Sequence, residues 1–242
     1  MTDARPLDIG KILPLVRKPG QYVGGELHAV DGRIAAEQLS WCLLFPDLYE
    51  IGMSHQGLQI LYHILNADCR FVAHRAYAPD VDMEAEMRSA GLPMFSLEGK
   101  LPLATYDVLG ITLPYELCYT NILTALDLAG IPKRAAERDD SHPLVLGGGS
   151  CAFNPEPVAD FFDAIVLGDG EEIIVELAEL LLQAKQQGMA RQDILRQLAG
   201  VAGIYVPSFF QPVYADGQLI AVEALLPDSP PSKKRVLAEL TA

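Results

Sequence analysis

Four segments of this 242-residue chain gather residue types that can do chemistry. The first, residues 46–57, reads PDLYEIGMSHQG. Asp47 can accept a proton, Tyr49 and Ser54 offer hydroxyls, and His55 offers an imidazole that could act as base or ligand. Gly52 and Gly57 let a ligand approach the backbone. An ordinary strand-to-helix connection with a polar cap accounts for the same residues. The second segment, residues 112–121, is TLPYELCYTN. Thr112 and Tyr115 carry hydroxyls and Glu116 a carboxylate, although Pro114 and Glu116 also suit the start of a helix. The third, residues 147–157, opens on Gly147, Gly148 and Gly149 and holds Cys151. It is neither a GxGxxG fingerprint nor a Walker A loop, so it does not imply phosphate binding. The fourth is Gly168-Asp169-Gly170-Glu171-Glu172, whose acids fit a capping box with Asp169 as the cap. Nothing in the sequence places Ser54 or Ser150 beside a base, so no Ser-His-Asp triad is assigned.

Other chemistries are poorly served. Cys42, Cys69, Cys118 and Cys151 lie 27, 49 and 33 residues apart, which rules out CxxC and zinc-knuckle spacing. The five histidines form no HxxxH or HExxH pair, so no metal site is expected. The net charge of −14 would repel DNA or RNA, and no nucleic-acid partner is expected. Half the residues are apolar and 21% are charged, an ordinary globular balance. No apolar run approaches a membrane span and the first residues do not read as a signal peptide. A cytoplasmic protein with reduced thiols and no membrane partner is the expectation.

The elements that must position these loops follow a repeating pattern. Short apolar runs at 40–45, 70–74, 107–113, 143–146 and 163–167 read as strands. Helical spacing at 57–65, 82–90, 116–129 and from 169 onward reads as helices between them. Ser54 is the expected cap of the first helix, and Leu117, Ile122, Leu126 and Ala129 the expected inner face of the third. Strands alternating with helices predict an α/β, doubly wound, flavodoxin-like or Rossmann-like parallel sheet of about five strands. Such sheets bind ligands beyond the carboxyl ends of their strands. Residues 1–38 read as an arm and a hairpin, 39–200 as the α/β domain, and 201–226 as a β-hairpin around Asp216-Gly217. Residues 227–242 read as an extended basic linker.

The ordered blocks resemble the N-terminal part of a radical SAM protein family. They are FPDLYEIGMSH (45–55), LPYELCYTN (113–121), Gly147-Gly148 with FNPEPVADFFD (153–163), and GDGEE (168–172). Members of that family carry a vitamin B12-binding-like domain ahead of a radical SAM core. The resemblance runs from about Lys18 to the end of the chain. It implies cobalamin as the candidate cofactor and the radical SAM core as the partner. The core's CxxxCxxC motif is absent, so the resemblance implies that the [4Fe-4S] cluster and S-adenosylmethionine belong to a missing core and that this chain alone is not catalytic.

Cobalamin domains that ligate cobalt use DxHxxG after the first strand. Asp47, Tyr49 and Gly52 have that spacing, with Tyr49 where the histidine would stand. A neutral phenol is a poor cobalt ligand. His55 is close but out of register, and a second register matches Gly57 to the helix start. Thr112 sits near the family's Ser/Thr position, and Gly147 and Gly148 match its glycine pair. The expected cofactor-binding set is therefore Asp47, Tyr49, Gly52, Ser54, His55, Gly57, Thr112, Tyr115, Glu116, Gly147, Gly148 and Gly149. Two other readings stay open: a corrinoid-free docking and substrate-gating module, and a site for another nucleotide-like ligand. Apolar surface meant for the core would also let the isolated domain self-associate.

Overall fold

The strands form because their residues are mostly apolar and buried on both faces. In the computed structural model, which describes residues 5–225 and 233–236, β1 (Leu39–Phe45) is buried along its whole length. It pairs in parallel with β2 (Phe71–Tyr77) on one side and β3 (Val108–Thr112) on the other. Beyond β3 lie β4 (Leu144–Gly148) and β5 (Ala164–Val166), also parallel. The order β2-β1-β3-β4-β5 is the flavodoxin-like one, and β6 (Ile204–Tyr205) adds an antiparallel sixth strand at the β5 edge.

Period-two alternation sends successive strand residues to two helical layers. Trp41, Leu43 and Phe45 face the layer of α2 (Gln56–Asn66), α5 (Ile173–Gln187) and α6 (Arg191–Ala199). Cys42 and Leu44 face the layer of α3 (Val81–Ala90) and α4 (Tyr119–Ala129). A four-residue turn of helix, α1 (Tyr49–Gly52), lies in the loop after β1. No helix among the described residues is long and apolar enough to cross a membrane.

Several local expectations are corrected. Residues 21–38 form no hairpin; positive φ at Gly24, Gly25 and His28 breaks any ladder. The arm before them is held by Ile9, Ile12 and Val16, which join the α3/α4 core. Helix α2 is capped by His55 rather than Ser54. Leu117 is 86% exposed because residues Glu116–Cys118 form a 3-10 turn, which shifts the phase before α4 begins. Asp169 is not the cap of α5, which starts only at Ile173 after Glu172. Helix α6 lies outside the expected elements: it is short and mostly polar, and buries only Leu195 and Leu198 besides Arg191 at its start. The expected strand at 203–210 divides: Ile204–Tyr205 joins the main sheet, and the hairpin is β7 (Phe210–Ala215) with β8 (Gln218–Ala224). Tyr214, Leu219, Ile220 and Val222 are exposed on that hairpin. Of the expected linker, residues 227–232 and 237–242 lie outside the described residues, as does residue 226 at the end of the expected hairpin.

Candidate functional site

The loops after β1, β3, β4 and β5 meet at the carboxyl edge of the sheet. Beneath them, on the α2/α5 face, a slot of about 190 Å³ runs between sheet and helices. Its floor is Trp41 and Leu43 of β1, Gly110 and Thr112 of β3, and Gly148 of β4. Leu58 and Leu61 of α2 and Ile173, Ile174 and Leu177 of α5 wall it. His55, Gly149, Gly168, Gly170 and Glu171 form the rim.

Two missing side chains make the slot. A Cβ at Gly110 would stand 3.2 Å from Leu43 Cδ2, and one at Gly148 only 3.5 Å from Val166 Cβ. Both are on the α2/α5 face, where β3 and β4 are neighbours in register. Leucines there would fill the space between sheet and helices. Gly147 has a different reason: its Cβ would lie 3.0 Å from the Phe162 ring, on the opposite face. Gly149 has a third, since its φ of 124° is a conformation side chains rarely adopt.

The slot's chemistry is apolar with a polar rim. Among the described residues no lysine or arginine lines it, and Glu171 is its one acidic side chain. A ligand part that enters must be flat or slender, uncharged and hydrophobic. Burial lowers the pKa of His55 below its ordinary 6.5, so the ring is neutral at pH 7. Its Nδ1 accepts a hydrogen bond from the Leu58 amide at 3.2 Å. An accepting Nδ1 puts the proton on Nε2, so Nε2 can donate to a ligand but has no lone pair for a metal. Ligation through Nε2 would need the proton on Nδ1 and would break the cap, at a cost of about 0.5–2 kcal/mol.

A pH prediction follows. With its pKa depressed in the folded state, His55 binds fewer protons folded than unfolded as pH falls below 6.5. The cap's contribution is therefore present above that pH and declines as pH falls through the folded-state pKa. His55→Asn, which keeps a capping acceptor, should flatten this part of the stability–pH curve in urea unfolding, whereas His55→Ala should lose about 1 kcal/mol at pH 7.5. A curve unchanged by either variant would refute the cap's role.

The expected site residues divide into three groups. His55, Gly57, Thr112, Gly147, Gly148 and Gly149 border the slot. Asp47 and Tyr115 come together outside its lining: the Tyr115 hydroxyl donates to Asp47 Oδ2, and Cys118 Sγ lies 3.9 Å from the same oxygen. The hydrogen bond to Asp47 and burial raise the Tyr115 pKa. The remaining four are elsewhere. Tyr49 turns to Glu26, donating at 2.5 Å, and edges onto Tyr77. Burial, then that bond, push its pKa up to about 12. Gly52 is packed so that a Cβ would lie 2.7 Å from the Phe45 and Tyr77 rings, and Ser54 and Glu116 are exposed. Cys118 and Cys151 both have thiol pKa values raised, chiefly by burial, and are poor nucleophiles. No group of His, Cys, Asp and Glu among the described residues could hold a metal ion.

The expected binding set omits Gly110, Gly170 and Glu171, the last two because their segment reads as a capping box. Gly110 had a signal: a glycine inside the apolar run DVLGITL marks a close approach or an open space.

Residues 57–207 match the family model for the N-terminal region of radical SAM proteins, a span of more than half the chain. The chain belongs to this family. The part of this radical SAM N-terminal domain that matches holds Gly110, Gly148 and Gly168, but begins after the β1 loop and ends before the β7–β8 hairpin. No curated protein and no solved structure matches the chain.

Proposed function

We propose that this radical SAM N-terminal domain holds a corrinoid by its nucleotide tail and presents it to a radical SAM core, with no protein histidine on the cobalt. The observation that carries this reading is the slot floored by Gly110 and Gly148: an apolar cleft below the carboxyl edge, open where two Cβ atoms would otherwise stand. A neutral aromatic base fits its walls. Free nucleotides with several phosphate charges do not suit a rim that, among the described residues, offers Glu171 and no lysine or arginine.

A bound corrinoid would supply group-transfer chemistry at cobalt, and the protein supplies position and surroundings. Gly110 and Gly148 admit the tail. Leu58, Leu61, Ile173 and Leu177 exclude water around it. Tyr49, at the DxHxxG histidine position, is committed to Glu26, and His55 is committed to the cap of α2, so neither serves as a lower ligand. Glu171 can accept from amide groups at the rim. The test is to mix the purified chain with hydroxocobalamin, desalt, and record the visible spectrum. Retention near one equivalent is expected. Loss of all cobalamin on desalting, by this chain and by a longer chain carrying the core, would overturn the reading in favour of a cofactor-free docking module.

A further inference from the structure

Two groups of charges lie outside the slot's lining: Glu172 and Glu176 at the start of α5, and the basic Lys233-Lys234-Arg235 of the tail. The structure brings them together. Arg235 donates its backbone N–H to Leu167 O at 2.9 Å and accepts from Asp169 N at 3.1 Å, forming a parallel bridge with Gly168. Its guanidinium pairs with Glu172 at 3.3 Å and with Glu176. Lys234 Nζ stands 4.8 Å above the Phe153 ring. Two glycines make room: a Cβ at Gly168 would fall inside the Arg235 carbonyl, and one at Gly203 would lie 2.9 Å from Arg235 Cβ. Backbone bonds, charge complementarity and two side-chain gaps together make a seat for this segment.

The turn that seats Arg235 also forms the slot's rim through Gly168, Gly170 and Glu171. We infer that the basic segment is a latch on the slot, and that its seating and ligand binding favour one another through this shared turn. The inference rests on the proposed ligand. A turn with glycine at 168 and 170 is costly to order, and whichever partner binds first spares the second that cost. The ion pairs are solvent-exposed and individually weak, so the latch is reversible. Seated, Arg235 adds one bridged residue beside Gly168, just beyond β5.

Trypsin reads the latch directly, because Lys233, Lys234 and Arg235 are its targets. The 242-residue chain is digested with and without hydroxocobalamin, cleavage at these three sites being followed by mass spectrometry against cleavage elsewhere in the chain. Hydroxocobalamin should slow cleavage there by about fivefold or more. The doubly reversed variant Glu172→Lys, Glu176→Lys, altered only at exposed side chains, should be cut faster and bind hydroxocobalamin more weakly. Adding Arg235→Glu to it should restore protection of Lys233 and Lys234, which a merely misfolded variant would not do. Retention of hydroxocobalamin with unchanged cleavage overturns the latch alone. Absence of retention overturns the proposed ligand, and the latch with it.

Discussion

Replacing Gly148 with leucine is expected to abolish hydroxocobalamin retention while the domain stays folded. The Cβ at this position meets only Val166 at 3.5 Å, an ordinary contact, so alanine is accommodated and leucine extends into the slot. Burying the leucine side chain contributes about 1.5–3 kcal/mol. Overpacking costs about 1–3 kcal/mol, so the two nearly cancel in stability. The tail has no such compensation, since its space is gone. Affinity should fall about 100-fold or more, equivalent to about 2.8 kcal/mol. Gly147→Leu separates the two effects. Its Cβ points at the Phe162 ring on the other face, so it should damage folding without entering the slot. Visible-spectrum titration and thermal unfolding of the three proteins check this. A folded Gly148→Leu protein that binds as the wild type does would remove the slot from the account.

The largest effect on stability is expected at Asp163, just before β5. Its carboxylate, buried and essentially inaccessible, accepts from Arg138 at 3.0 Å, from Arg191 at 2.6 Å, and from the Val145 amide at 2.7 Å. The remaining donors of the two arginines go to backbone carbonyls: Arg138 to those of Pro132, Lys133 and Phe161, and Arg191 to those of Asp139, His142 and Pro143. One carboxylate thus compensates two buried guanidinium groups and ties the loop before β4 to the start of β5 and to α6. Asp163→Ala leaves both charges without a counterion and should cost about 3–5 kcal/mol, or leave the protein unfolded at 25 °C. Urea unfolding measures it. A cost below about 1 kcal/mol would show that the carbonyls alone hold the arginines. Because β4 and β5 carry Gly148 and lead to Gly168, a partly folded variant should also lose ligand affinity.

Much of this was legible in the residues. The five parallel strands are short apolar runs buried on both faces, and that pattern reads directly from the sequence. The carboxyl-edge location follows from the fold class. What the sequence concealed depends on phase and on distant partners. Leu117 matches the spacing of an inward helical residue, yet a 3-10 turn of three residues rotates it outward. Asp169 has the spacing of a cap, yet the chain there accommodates Arg235, 66 residues on, and the helix starts later. Gly24 and Gly25 break the chain with positive φ and Gly32 lies in a bend, but such breaks without alternating flanks do not make a hairpin. In the site, Tyr49 carries the DxHxxG spacing while its side chain is drawn away by Glu26, a residue no local motif connects to it. Gly147, Gly148 and Gly149 look alike in sequence and do three different jobs, separable only when the faces of β4 are known.

The central claim is that the slot takes a nucleotide tail. Comparing hydroxocobalamin with cobinamide, a corrinoid that lacks this tail, tests it most directly. Each is mixed with the purified chain, passed over a desalting column, and quantified by its visible spectrum. The account predicts hydroxocobalamin retained near one equivalent and cobinamide washed away. Equal retention of both, or retention of cobinamide alone, would contradict it.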